Sequence, residues 1–78
     1  MSLQRHKRIG MLFFNEYICM PDVQFPNNTT WGGLEHGQVF EILNNNLVWI
    51  QTRLIHSGNG MYLQGFCNYV PLGVRVRI

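Results

Sequence analysis

The sequence predicts an all-β domain, a small antiparallel sheet of five to six strands that curls on itself or closes into a barrel, and three observations predict it. Residues 47–55 alternate strictly: Val48, Ile50, Thr52 and Leu54 point one way, and Leu47, Trp49, Gln51, Arg53 and Ile55 the other. That is the period of two of an extended strand, and the unbroken aliphatic set is expected to face the core. Turn-forming clusters punctuate the chain at Asn44-Asn45-Asn46 and Ser57-Gly58-Asn59-Gly60. No stretch makes a convincing helix, since residues 11–20, the best candidate, lack an N-cap and carry aromatic and β-branched side chains.

Taken from the start, residues 1–8 hold Arg5, His6, Lys7 and Arg8 ahead of any apolar pattern and read as a flexible basic arm; residues 9–78 form the single β domain. Residues 9–14, Ile-Gly-Met-Leu-Phe-Phe, are apolar on both sides, the pattern of a strand packed on two faces or lying at an interface. Asn15-Glu16 is expected to turn or bulge, residues 17–20 to return as a second extended piece, and Pro21-Asp22 to end it. Proline removes a ladder donor and aspartate favours turns. The polar run Asn27-Asn28-Thr29-Thr30 after Phe25-Pro26 reads as a surface loop. It leads to Trp31-Gly32-Gly33, where the indole is either presented to a ligand by a loop with free backbone or plugs one end of the barrel.

Residues 39–43 and 47–55 form a hairpin about the asparagine turn, in which asparagine tolerates the left-handed backbone that hairpins need. A third strand enters through Ser57-Gly58-Asn59-Gly60. On it Met61, Leu63, Cys67 and Tyr69 alternate with Tyr62, Gln64, Phe66 and Val70, and Gly65 bends the middle. Pro71-Leu72-Gly73 makes a corner into Val74-Arg75-Val76-Arg77-Ile78, three aliphatics inward and two arginines outward.

The order Leu34, Gly37, Val39, Ile42, Trp49, Gly60, Tyr62 and Asn68-Tyr69-Val70 resembles the Src-homology-3-like barrel. In that family a leucine and a glycine precede a strand, a tryptophan lies in the next, and a glycine turn leads to a strand with an aromatic-valine ending. The resemblance covers about half the chain and implies a small barrel with, at most, a peptide groove. The acidic loop residues of its eukaryotic peptide-binding members have no counterpart here.

Charge sets the functional expectation. Only 13% of the residues are charged while 46% are hydrophobic, against about one quarter charged in an average domain. Ten charged side chains cover such a surface sparsely, so an interface is expected, a homo-oligomer first and another protein next. Trp49, Trp31, Tyr62 and Arg53 are the candidate partner-binding residues, because rigid aromatics and arginine dominate interface energetics. A second reading sets Arg5, Lys7, Arg8, Arg75 and Arg77 along nucleic-acid phosphates, although a net charge of +2 is small for it. A third is an oligomeric small-molecule-binding protein of the phage or mobile-cassette kind.

No catalytic constellation stands out. Glu35-His36 with Cys67 lacks any spacing that implies adjacency, and His6, His36, His56, Cys19 and Cys67 show no metal-ligand spacing. No catalytic residue, metal or cofactor is therefore expected. Two cysteines make no disulfide framework, no stretch is long enough to span a membrane, and no leader precedes the domain, so a cytoplasmic protein away from membranes is expected. The glycosylation-like triplets at Asn27 and Asn28 are then empty matches.

Overall fold

The computed structural model describes residues 7–78, and these form six strands and no helix. The strands are β1 (Ile9–Asn15), β2 (Met20–Gln24), β3 (Val39–Leu43), β4 (Trp49–Ser57), β5 (Gly60–Gln64) and β6 (Arg75–Arg77). They build one sheet in the order β2-β1-β6-β3-β4-β5, antiparallel at every pairing. Of the two expected outcomes the sheet takes the open one. β2 and β5 are its ends, and it is not closed into a barrel.

Alternation explains the core. On the inner face Leu12 opposes Val23, Gly10 opposes Val76, Val76 opposes Ile42, and Leu54 opposes Leu63. Leu12, Val23, Ile42, Leu54, Leu63 and Val76, with Phe40 of β3 and with Phe25 and Leu34 from the long β2–β3 connection, form one buried cluster. Val23 and Leu63 come from the two end strands, so the sheet must curl around this cluster to bring them together. Each such side chain contributes roughly 1.5–3 kcal/mol on burial. Thr52, also buried, donates its hydroxyl to the Gln64 carbonyl (2.9 Å) and so leaves no orphaned oxygen inside.

The first hairpin differs from the sequence expectation. The turn is not Asn15-Glu16 but residues 16–19, with Tyr17 fully exposed at its tip, and the return strand starts at Met20 and runs through Pro21 and Asp22. Pro21 is tolerated because its carbonyl, which accepts from the Leu34 amide (2.8 Å), points away from β1. The missing N–H therefore lies on the outward side of an end strand and costs the β1 ladder nothing.

The β3–β4 hairpin turns where predicted, with a different residue in the left-handed position. Leu47, not an asparagine, has φ 60°. Asn44 organises the turn: its carbonyl accepts from the Leu47 amide (3.0 Å) and its Oδ1 from the amides of Asn46 (2.9 Å) and Val48 (3.0 Å). The consequence corrects another expectation. Val48 stays in the turn, exposed, and the inward row begins at Ile50 and continues through Thr52 and Leu54. β5 likewise ends at Gln64, where Gly65 (φ 79°) starts a tight turn, so the alternation drawn through Tyr69 is not one strand. β6 matches its pattern: Val76 is fully buried, Val74 and Ile78 pack at its flanks, and Arg75 and Arg77 face outward.

Candidate functional site

With one sheet and one core, the outer face of the sheet is left without a covering layer among the described residues. The residues on it follow from register. Trp49 opposes Leu43, Glu41 opposes both Gln51 and Arg77, Arg77 opposes Ile9, Arg75 opposes Met11, and Met11 also opposes Gln24. The apolar pattern on both sides of β1 thus has an explanation: its inner side fills the core, while Ile9 and Met11 on the other side stay about half exposed.

Near the centre of this face the charges are locked together. The Arg77 Nε donates to Glu41 Oε1 (2.8 Å) and its Nη2 to Oε2 (3.2 Å), a two-pronged pair, and the Lys7 Nζ reaches the same Oε1 (2.8 Å). Hydrogen bonds from Arg77 and then Lys7 hold the Glu41 carboxyl at about 2, below the ordinary glutamate value, against a smaller opposing effect of burial. The same carboxylate raises Arg77. The Arg77 guanidinium carbon also lies 4.6 Å from the centre of the Trp49 ring, so indole and guanidinium form one stacked unit. Trp49 is accordingly half-buried by an arginine rather than bare.

Toward β1 and β2 the face dips into a groove of about 400 Å³ lined chiefly by Ile9, Met11, Gln24, Pro26, Asn28 and Arg75. Its wall is a closed turn. Phe25 donates its amide to the Thr29 carbonyl (2.9 Å), Asn28 donates to the Phe25 carbonyl (2.9 Å), and the Arg8 guanidinium both stacks on the Phe25 ring (3.6 Å) and donates to Thr29 Oγ1 (3.2 Å). A side chain at position 10 would place its Cβ 2.6 Å from the Gln24 carbonyl oxygen and from Val23 Cγ1, so glycine is what lets this wall close on β1.

The candidate residues therefore separate. Trp49, Arg53 and Tyr62 share the outer face on β4 and β5, where Arg53 opposes Val39 and donates to the Gly37 carbonyl (3.4 Å) and Tyr62 opposes Ile55. Trp31 does not join them. It lies beyond β2, with β1, β6 and β3 between its segment and β4, and it is 41% exposed rather than a plug. Among the basic residues Lys7 and Arg77 are committed to Glu41, Arg8 to Phe25 and Thr29, and Arg75 to the groove. The Arg8 backbone pairs with that of Ile78 in both directions (2.7 and 2.9 Å), while Arg5 and His6 lie outside the described residues.

Asp22 is the residue that sequence reasoning missed. It is wholly buried; its Oδ1 accepts from the amides of Val23 (2.8 Å), Gly32 (3.0 Å) and Gly33 (2.8 Å), and its Oδ2 from the Asn15 side chain (2.9 Å). Burial pushes its carboxyl up, but the Asn15 amide and the three backbone donors together hold it below the ordinary aspartate value. The carboxylate anchors the Trp31-Gly32-Gly33 segment against β2. The sign of this in the sequence is the pair of glycines ten and eleven residues on, whose amides approach one oxygen. Elsewhere, His36 Nδ1 accepts from the His56 amide (2.9 Å), and Cys19 and Cys67 are free thiols. No group of three or more His, Cys, Asp or Glu able to hold a metal occurs among the described residues.

Residues 10–78 match a family model, that of the Domain of unknown function (DUF5348). The chain belongs to this family. The chain is similar to a protein from Ruminococcus gnavus whose crystal structure was determined by a structural genomics consortium. The two share 33% sequence identity and superpose with a TM-score of 0.75, over 91% of this chain and the whole of that one. No curated protein matches the chain.

Proposed function

We propose that the domain is a non-catalytic binding module that receives a protein partner, a second copy of itself foremost, on the outer sheet face around Trp49. The observation that carries this reading is the stacked Trp49–Arg77 unit, held by the two-pronged Glu41 pair on a face that no other described element covers. Tryptophan and arginine are the residues most enriched among those that dominate binding, and an arginine already fixed by a carboxylate loses less freedom when a partner lands. Leu43, opposite Trp49 on β3, extends the apolar area, while Tyr62 and Ile55 form a second apolar pair at the far end of β4, beyond Gln51 and Arg53.

The sheet edges favour a face over strand addition. The outer side of β2 is occupied by the next segment: Trp31 donates to the Val23 carbonyl (2.9 Å) and Leu34 to that of Pro21, and Gln24 bridges Thr30. On β5, Leu63 and Cys67 exchange amide and carbonyl (3.2 and 3.1 Å), so that edge is interrupted at Leu63 from within the chain. The resemblance to Src-homology-3-like barrels adds a finer version of this reading, in which the partner offers an extended peptide.

The test is sedimentation of the full chain beside Trp49→Ala. The expected result is a dimer or larger species that the substitution weakens by about 2 kcal/mol, roughly thirtyfold, while the amide spectrum keeps its dispersion. A monomer for both proteins, with nothing retained from a cell extract by the immobilised domain, would remove the proposal.

A further inference from the structure

The groove beside β1 is built differently from the Trp49 region and asks for a different occupant. We propose that it binds a small carboxylate with an apolar body, the acid group on Arg75 and the body against Ile9, Met11 and Pro26. This site stands apart from the protein interface around Trp49 and does not depend on it.

Charge complementarity names the ligand. The lining contains one charged side chain, Arg75, and no acid; its other polar groups are the amides of Gln24 and Asn28. Among the described residues the ion pairs of the domain are Lys7–Glu41 and Arg77–Glu41, so the two arginines of β6, which alternate onto the same face, have divided roles: Arg77 is committed to a carboxylate and Arg75 is not. A guanidinium presented beside apolar walls pairs well with a planar carboxylate, which accepts two of its hydrogens at once and, unlike a phosphate, brings a single charge to an apolar groove. The volume of about 400 Å³ suits a small molecule, since such sites run from about 300 to 1,000 Å³.

The same geometry disfavours a peptide. β1 is paired on both sides, by β2 and β6, and the far edge of β2 is occupied, so no strand edge in the groove is free to satisfy a second backbone. A peptide laid there would leave amides with only Gln24 and Asn28 to bond, and every amide left without a partner opposes binding. A molecule whose polarity ends at one carboxylate avoids this. The wall is already rigid through the internal bonds of residues 25–29 and the Arg8 stack, so little ordering is needed on binding.

The experiment titrates the isotope-labelled full chain with sodium octanoate and, in parallel, with octanamide, which has the same body without the charge. Octanoate is expected to give saturable amide shifts at residues 9–11 and 24–28, with octanamide at least about tenfold weaker, the order expected for loss of a charged hydrogen-bonded pair. Arg75→Gln is expected to bring octanoate down to the octanamide level. Met11→Glu, which sets a fixed carboxylate beside Arg75 inside the groove, is expected to abolish binding while the spectrum stays dispersed. Trp49→Ala is expected to leave octanoate binding unchanged, which separates this site from the interface. No saturable shift at millimolar octanoate, equal binding of the acid and the amide, or shifts centred on Trp49 would each overturn the proposal.

Discussion

Replacing Asp22 by asparagine tests whether a buried carboxylate organises the first hairpin and the loop that follows it. In Asp22→Asn the retained oxygen still accepts the amides of Val23, Gly32 and Gly33, but the new NH2 group faces the Asn15 Nδ2 donor now 2.9 Å from Oδ2. One hydrogen bond to a charged acceptor is lost, worth about 1.5–3 kcal/mol, and the three remaining bonds lose charge assistance. Removal of a buried charge offsets part of this, leaving a net loss of about 2–3 kcal/mol. A chain of 78 residues is stable by about 4–12 kcal/mol when scaled at 0.05–0.15 kcal/mol per residue, so the variant should fold and be measurable by urea unfolding. Asn15→Asp alone is also expected to destabilise, because it sets two carboxylates face to face. The double swap, Asn15→Asp with Asp22→Asn, restores a donor–acceptor pair and keeps an acceptor for the Tyr17 amide, so it should recover at least about 1 kcal/mol relative to the sum of the singles. The pH dependence provides a second reading. The folded-state carboxyl of Asp22 is held low, so its contribution is present above the unfolded aspartate value and is lost as pH falls through the folded value. Asp22→Asn should flatten that part of the acid profile. A loss under about 0.5 kcal/mol, or a double swap no better than the two singles added together, would refute the organising role given to Asp22.

Two further outcomes follow from the backbone. Leu47 holds a left-handed conformation that costs an ordinary residue about 1–2 kcal/mol; it is 78% exposed, so Leu47→Asn should raise the urea midpoint by about 0.5–1 kcal/mol equivalent, and a lower midpoint would count against the turn assignment. Gly10→Ala should lose about 1–3 kcal/mol in the same assay, because its Cβ meets the Gln24 carbonyl and Val23 and forces the groove wall away from β1; an unchanged midpoint would show that the wall yields freely.

The parts of the fold governed by short-range pattern were legible in the sequence. The alternation of Ile50, Thr52 and Leu54, the two turns that flank β4, and the Val76 row are set by neighbours two to five residues apart, and they stand where expected. Val48 departs from the alternation because parity alone ignores where a turn ends: Leu47 takes the left-handed position and leaves Val48 outside the ladder. Pro21-Asp22 read as a stop because both residues disfavour a strand locally. What keeps them in β2 is distant, namely the Leu34 amide and the glycine pair at 32 and 33. The same applies to the site. The shared face of Trp49, Arg53 and Tyr62 follows from alternation along each strand, whereas the pairing of Arg77 with Glu41, and the division between Arg75 and Arg77, depend on which strands become neighbours.

The place of β6 in the sheet also bears on how the domain comes into being. β6 is the strand that hydrogen-bonds both β1 and β3, so the ribosome releases a β1–β2 hairpin and a β3–β4–β5 meander as two unjoined pieces. Only when Arg75–Arg77 emerges can they be stitched edge to edge over a shared interior. Completion of the domain is thus deferred until after these three residues have been made, and a nascent chain stalled before them would display two raw strand edges and half a core to its surroundings.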